Sequence, residues 1–92
     1  MTEPLFIDVR EPIEYADGHL IGAVNIPPSA LVAGAKGLEK YPKDTPLVLY
    51  CHSGSRSNVA IGILQQLGYT NLTNGVNQRQ AEQLWQRKQL MK

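Results

Sequence analysis

Cysteine is all but missing from this chain of 92 residues: Cys51 is the only one. A single thiol excludes an intramolecular disulfide and a multi-cysteine zinc site, and leaves either an inert buried side chain or a reactive one. An excess of one charge is missing too. Nine basic against eight acidic residues give a formal net charge of +1, so no overall field draws the protein to nucleic acid, a membrane surface or an acidic partner. No apolar run approaches the roughly 20 residues of a membrane span. The start, Met1-Thr2-Glu3-Pro4, lacks the charged-then-apolar pattern of a signal segment. The expectation is a soluble, cytoplasmic, monomeric protein, or a periplasmic one if a signal segment has been removed. One small domain over residues 1–92 accounts for the length, and no internal repeat or low-complexity tract divides it.

What is present is an alternation of strand-like and helix-like pieces. Leu5 to Val9 reads as a short apolar strand interrupted by Asp8. Pro12 suits a first helical turn, and Ile13 to Ala16 extend it until Gly18 stops it. Ala23 to Ile26 reads as a very short strand closed by Pro27 and Pro28. Ser29 is a candidate cap for a helix through Leu31, Val32, Ala35 and Leu38, weakened by Gly34 and Gly37. Tyr41 to Pro46 is a loop into the central strand, Leu47 to Cys51. Beyond Ser57, Val59, Ala60, Ile63, Leu64 and Leu67 recur at helical spacing up to Gly68. Tyr69 to Thr73 is a brief strand and Asn74-Gly75 a turn. A final helix runs from Gln78 to Met91 with Ala81, Leu84, Trp85 and Met91 inward. This order predicts an α/β fold, a mainly parallel sheet flanked by helices on both faces.

The stretch LVLYCHSGSRS, Leu47 to Ser57, organises the rest. Its uninterrupted apolar run ends at Cys51, and the chain then turns small, polar and basic. In parallel α/β sheets ligands bind beyond the carboxyl ends of the strands, which is where Cys51 falls. A thiol close to a helix N-terminus faces unpaired N–H groups that favour negative charge and hold its pKa below the free value of roughly 8.5. A lone cysteine after an apolar strand is ordinarily a small core hydrophobe; the Gly/Ser/Arg loop reverses that reading. Cys51, His52 and His19 match no common zinc spacing, so no metal is expected. Nor is any other cofactor. Asp8 inside an apolar run reads as a satisfied structural carboxylate rather than an acid catalyst. His52 is read as solvent-exposed, because adjacent loop side chains diverge.

The run FIDVREPIEYADGHLIGAVNIP, Phe6 to Pro27, resembles the N-terminal signature of rhodanese domains, and CHSGSRS, Cys51 to Ser57, resembles their active-site loop, with LGYTNL following at the family's distance. The resemblance covers nearly the whole chain. It implies a rhodanese fold and a cysteine that carries sulfane sulfur as a persulfide, as in the single-domain thiosulfate sulfurtransferases of bacteria. By that resemblance Cys51 is the nucleophile. His52, Ser53, Gly54, Ser55, Arg56 and Ser57 form the cradle for its persulfide or a bound anion, with Arg56 adding charge at the rim. Asp8 and Arg10 match the Asp-x-Arg signature, a supporting polar frame. Where family members commonly have a Gly-Gly pair and a nearby tryptophan, this chain has Asn74-Gly75-Val76-Asn77 and a later Trp85. Asparagine tolerates the left-handed conformation, so the turn is expected to survive there.

The implied reaction takes sulfur from thiosulfate or a similar donor and passes it to a thiol or cyanide acceptor, including an acceptor protein. A second reading is a persulfide carrier or binding module serving partner proteins. A third, in which the loop binds oxyanions as in cysteine phosphatases or arsenate reductases, is disfavoured by loop length. Arg56 follows Cys51 by five positions, a Cys-x4-Arg loop, whereas protein phosphatases use Cys-x5-Arg. The shorter loop suits sulfur.

Overall fold

The computed structural model describes residues 3–90. Four strands form one parallel sheet in the order β2-β1-β3-β4: β1 Leu5–Asp8, β2 Val24–Asn25, β3 Leu47–Cys51 and β4 Leu72–Asn77. Four helices accompany them, α1 Pro12–Asp17, α2 Pro28–Val32, α3 Ser55–Gln66 and α4 Gln78–Leu90, with a 3-10 turn at Lys36–Leu38. The expected α/β architecture is therefore the observed one, and every strand pair is parallel.

Side-chain alternation along β1 and β3 builds two cores. Ile7, Leu47, Leu49 and Cys51 join Leu31, Leu38, Ala60 and Leu64 under α2 and α3. Phe6, Val48 and Tyr50 point the other way and meet Leu20, Ala23, Ala81 and Leu84 beneath α4. All five residues of β3 are buried, because helices cover both faces, and this is why its sequence is apolar without alternation. Successive strands leave β1 in opposite directions, to β2 on one side and β3 on the other. The crevice at that reversal lies beyond the carboxyl ends of β1 and β3, where Cys51 ends its strand.

Several boundaries differ from the sequence reading. The second helix is not capped by Ser29: Pro27 holds the cap position, Pro28 opens the helix, and it ends at Val32. Gly34 (φ 109°) and Ala35 (φ 51°) turn the backbone left-handed. This breaks the helix and still delivers Ala35 and Leu38 into the core. Helix α3 starts at Ser55, not beyond Ser57, because Gly54 (φ 95°) reverses the chain early. Its inward line is Ser57, Ala60 and Leu64. Val59, about 100° around the helix from Ala60, is 63% exposed. Trp85 is also displaced from the core, at 39% exposure. Met91 lies outside the described residues.

The largest difference is at Asn74-Gly75, which is not a turn. Strand β4 runs through it to Asn77, and the register slips so that Leu49 pairs with Asn74 but Tyr50 with Val76. Gly75 is the extra residue of this bulge. Neither asparagine turns left-handed; Val76 does, at φ 71°, a conformation that costs a β-branched residue on the order of 1 kcal/mol or more. A side chain at position 75 has no room: a Cβ there would lie 2.9 Å from Val48 Cγ1 and 3.2 Å from the Leu49 carbonyl oxygen. Replacing Gly75 by Ala is expected to destabilise the fold by about 1–3 kcal/mol through overpacking. Denaturant unfolding measures this, and an unchanged midpoint would contradict the close approach.

Candidate active site

Cys51 ends β3 and is 2% exposed. The chain turns at Gly54 and enters α3 within four residues, so the first N–H groups of that helix converge on the sulfur. The Gly54 amide donates to Sγ at 3.0 Å, and the backbone amides of Ser53 and Ser57 also act on it. Burial pushes the thiol pKa up. The Ser57 backbone and hydroxyl, followed by the Ser53 and Gly54 amides, pull it down further, and the balance brings it down to about 7. At neutral pH a large share is therefore thiolate. Water is excluded, but a helix N-terminus stands in its place.

Ser57 is fully buried and connects the thiol to the bulge. Its Oγ lies 3.6 Å from Sγ, 3.1 Å from the Gly54 carbonyl oxygen and 2.7 Å from Asn74 Oδ1. A hydroxyl has one proton to give. While Cys51 is a thiol, that proton is best placed on Asn74 and the S–H donates to Ser57. Once the thiol ionises, the hydroxyl can turn toward Sγ. Asn74 fastens the rest: its Nδ2 donates to the Gly54 carbonyl at 3.2 Å, and its Oδ1 accepts from the Val76 amide at 2.8 Å. Val76 in turn packs against Gly54, where an added Cβ would be 3.1 Å from Val76 Cγ1. The bulge therefore holds the cysteine loop from beneath.

The remaining site residues divide by position. Gly54 and Ser57 are buried with Cys51, whereas His52, Ser53 and Ser55 are exposed, and Ser53 and Ser55 Oγ lie 3.3 Å apart. Arg56 is not a free cation. Its guanidinium donates to Glu14 of α1 through both terminal nitrogens, at 2.7 and 3.1 Å. The hydrogen bonds from Arg56, then the Glu11 amide, hold the Glu14 carboxyl down at about 2. Asp8 and Arg10 form a fork-to-fork pair, with Nη2 to Oδ2 at 2.7 Å and Nε to Oδ1 at 2.9 Å. Arg10 Nη2 also donates to the Gly18 carbonyl at 2.6 Å. That contact ties down the end of α1, the helix carrying Glu14. Asn25 donates to the Asp8 and Arg10 carbonyls at 2.9 and 3.0 Å, closing the same corner. Among the described residues no group of three or more His, Cys, Asp or Glu converges on a metal-sized site.

Glu14, Asn74 and Val76 are absent from the site as read from sequence. Asn74 and Val76 act across 17 and more residues from the loop, and no local spacing announces that. Glu14 carried one signal, its place as the third residue of a helix opened by Pro12.

A cysteine at the end of a parallel strand, cradled by the amides of a following helix, is the arrangement to which family comparison speaks directly. The rhodanese-like domain model matches residues 1–82. This chain belongs to the rhodanese-like family. The chain is similar to the thiosulfate sulfurtransferase PspE of Escherichia coli, with 38% identity over 69 residues, 75% of this chain and 65% of that protein. It is 42% identical over 65 residues to the probable adenylyltransferase/sulfurtransferase MoeZ of Mycobacterium tuberculosis, covering 71% of this chain and 16% of that one. Among solved structures, a rhodanese with anions from E. coli superposes with a TM-score of 0.74 at 31% identity, over 85% of this chain and 91% of that one. The chain thus spans between 16% and 65% of the length of these two curated relatives.

The rhodanese loop geometry sets a pH dependence. Below about pH 7 Cys51 is protonated and slow; above it the thiolate reacts, so alkylation by iodoacetamide should rise through a midpoint near 7. Ser57→Ala removes a hydrogen bond to the thiolate and should move that midpoint to higher pH. A wild-type midpoint near that of free cysteine would contradict the cradle.

Proposed function

We propose that this protein is a sulfurtransferase that takes a sulfane sulfur from thiosulfate, or a similar donor, onto Cys51 and passes it to a thiol or cyanide. The observation that carries this reading is the Gly54 amide 3.0 Å from a buried sulfur at the mouth of α3. The Cys51 thiolate attacks the outer sulfur of thiosulfate. The sulfur–sulfur bond breaks, its electron pair leaves with sulfite, and Cys51 is left as a persulfide anion, so three negative charges stand on each side. The Ser53, Gly54 and Ser57 amides that held the thiolate then hold the persulfide, without reorganisation. No separate base is required, because the resting thiol is already close to half ionised at pH 7. An acceptor thiolate or cyanide attacks the terminal sulfur and restores the Cys51 thiolate. The transferable sulfur of thiosulfate projects from the end of the molecule, which suits a recessed cysteine, 2% exposed.

Membership of the family, together with a cysteine loop of Cys-x4-Arg length, supports sulfur over phosphoryl or arsenate chemistry. A carrier reading has its own support: the region similar to this chain is 16% of the MoeZ length, so a domain of this kind also occurs within a larger protein.

Incubating the reduced protein with thiosulfate should add one sulfur atom to its intact mass. Cyanide should remove it, and Cys51→Ser should abolish it. An unchanged mass would sink the reading, and a persulfide that forms but turns over slowly with cyanide would favour the carrier.

A further inference from the structure

We propose that Glu14 is a specificity-determining residue that tunes the active-site loop to the charge of its sulfur donor. The proposal rests on the sulfur-transfer reading above. Arg56 lies in the first turn of α3, the turn whose amides hold Sγ, and its charge and that of Cys51 interact. It is the cation best placed to meet the sulfonate end of a donor. Glu14 already occupies it through two hydrogen bonds, both partners being about a third exposed, at 37% and 33%. A dianion must therefore either displace a carboxylate from Arg56 or bind beside it. Beside the intact pair, the Glu14 carboxylate repels two charges more strongly than one.

The pair is built into the fold. Pro12 starts α1, the Glu11 amide donates to Glu14 Oε1 at 3.0 Å, and Arg10 ties the end of the helix at Gly18. Glu14 is thus presented to Arg56 rather than drifting to it. With its carboxyl held down at about 2, the latch stays charged throughout the range in which Cys51 titrates.

Two donors separate charge from chemistry. Thiosulfate is a dianion. Methanethiosulfonate is a monoanion with the same outer sulfur, and it leaves as methanesulfinate when the thiolate attacks and the sulfur–sulfur bond breaks, two negative charges standing on each side. Glu14→Gln keeps an oxygen for the Glu11 amide and removes the charge. It should raise kcat/KM for thiosulfate roughly 3- to 5-fold, the scale of an exposed ion pair, and that for methanethiosulfonate by less than half as much. Arg56→Gln should lower the thiosulfate value more than the methanethiosulfonate value. Asp44→Asn, which removes a charge at the opposite end of β3, should leave the ratio unchanged. A donor ratio equal in wild type, Glu14→Gln and Arg56→Gln would overturn the proposal. Because wild-type persulfide formation is measured in the same assay, its absence would instead overturn the sulfur-transfer reading itself.

Discussion

A thiolate removed from water needs another source of hydrogen-bond donors, and here the start of α3 is that source. The requirement constrains everything around it. The helix must begin within a few residues of Cys51, so the loop must reverse sharply, which Gly54 does at φ 95°. The strand must end at the crevice between the two directions of sheet growth, which a central β3 ensures. Burial alone would make the thiol inert; burial facing those amides makes it acidic and keeps competing water away.

The bulge in β4 meets the second half of the requirement, keeping the loop in place. A regular strand would have set Gly75 and Val76 in ordinary pairing and carried Val76 away from Gly54. Slipping the register by one residue after Asn74 puts Val76 against Gly54, while Asn74, still in register with Leu49, accepts from Ser57 and donates to the Gly54 carbonyl. The left-handed Val76 is strain against Gly54 of the cysteine loop, held by the Asn74 side chain that accepts its amide. Stability and chemistry therefore share the same few side chains. Across the site, Asp8, Arg10 and Asn25 secure the opposite wall and the helix bearing Glu14.

Much of this was legible in the chain. The apolar run of Leu47 to Tyr50 announced a doubly covered strand, because a residue buried on either face must be apolar. The Gly/Ser/Arg segment announced a loop that bends tightly and presents its amides. Asp8, alone in an apolar run, announced a buried carboxylate, and its partner is two residues away. Misread were the elements governed by distant neighbours. Val59 and Trp85 fit a helical stripe but stay exposed, and Asn74-Gly75 has the composition of a turn yet is pinned into a strand by Val48 and Leu49.

By itself, then, the sequence determined the alternation of elements, the parallel sheet and the place of the lone cysteine at the end of its central strand. All of these follow from local propensity and from patterns that repeat within a few residues. Only the tertiary structure decided that Arg56 is engaged by Glu14, 42 residues away, and that Asn74 binds the loop through Ser57, 17 residues away. Such contacts depend on where the backbone returns in space. The one-residue slip in β4 that sets Val76 against Gly54 is likewise not encoded in the local pattern.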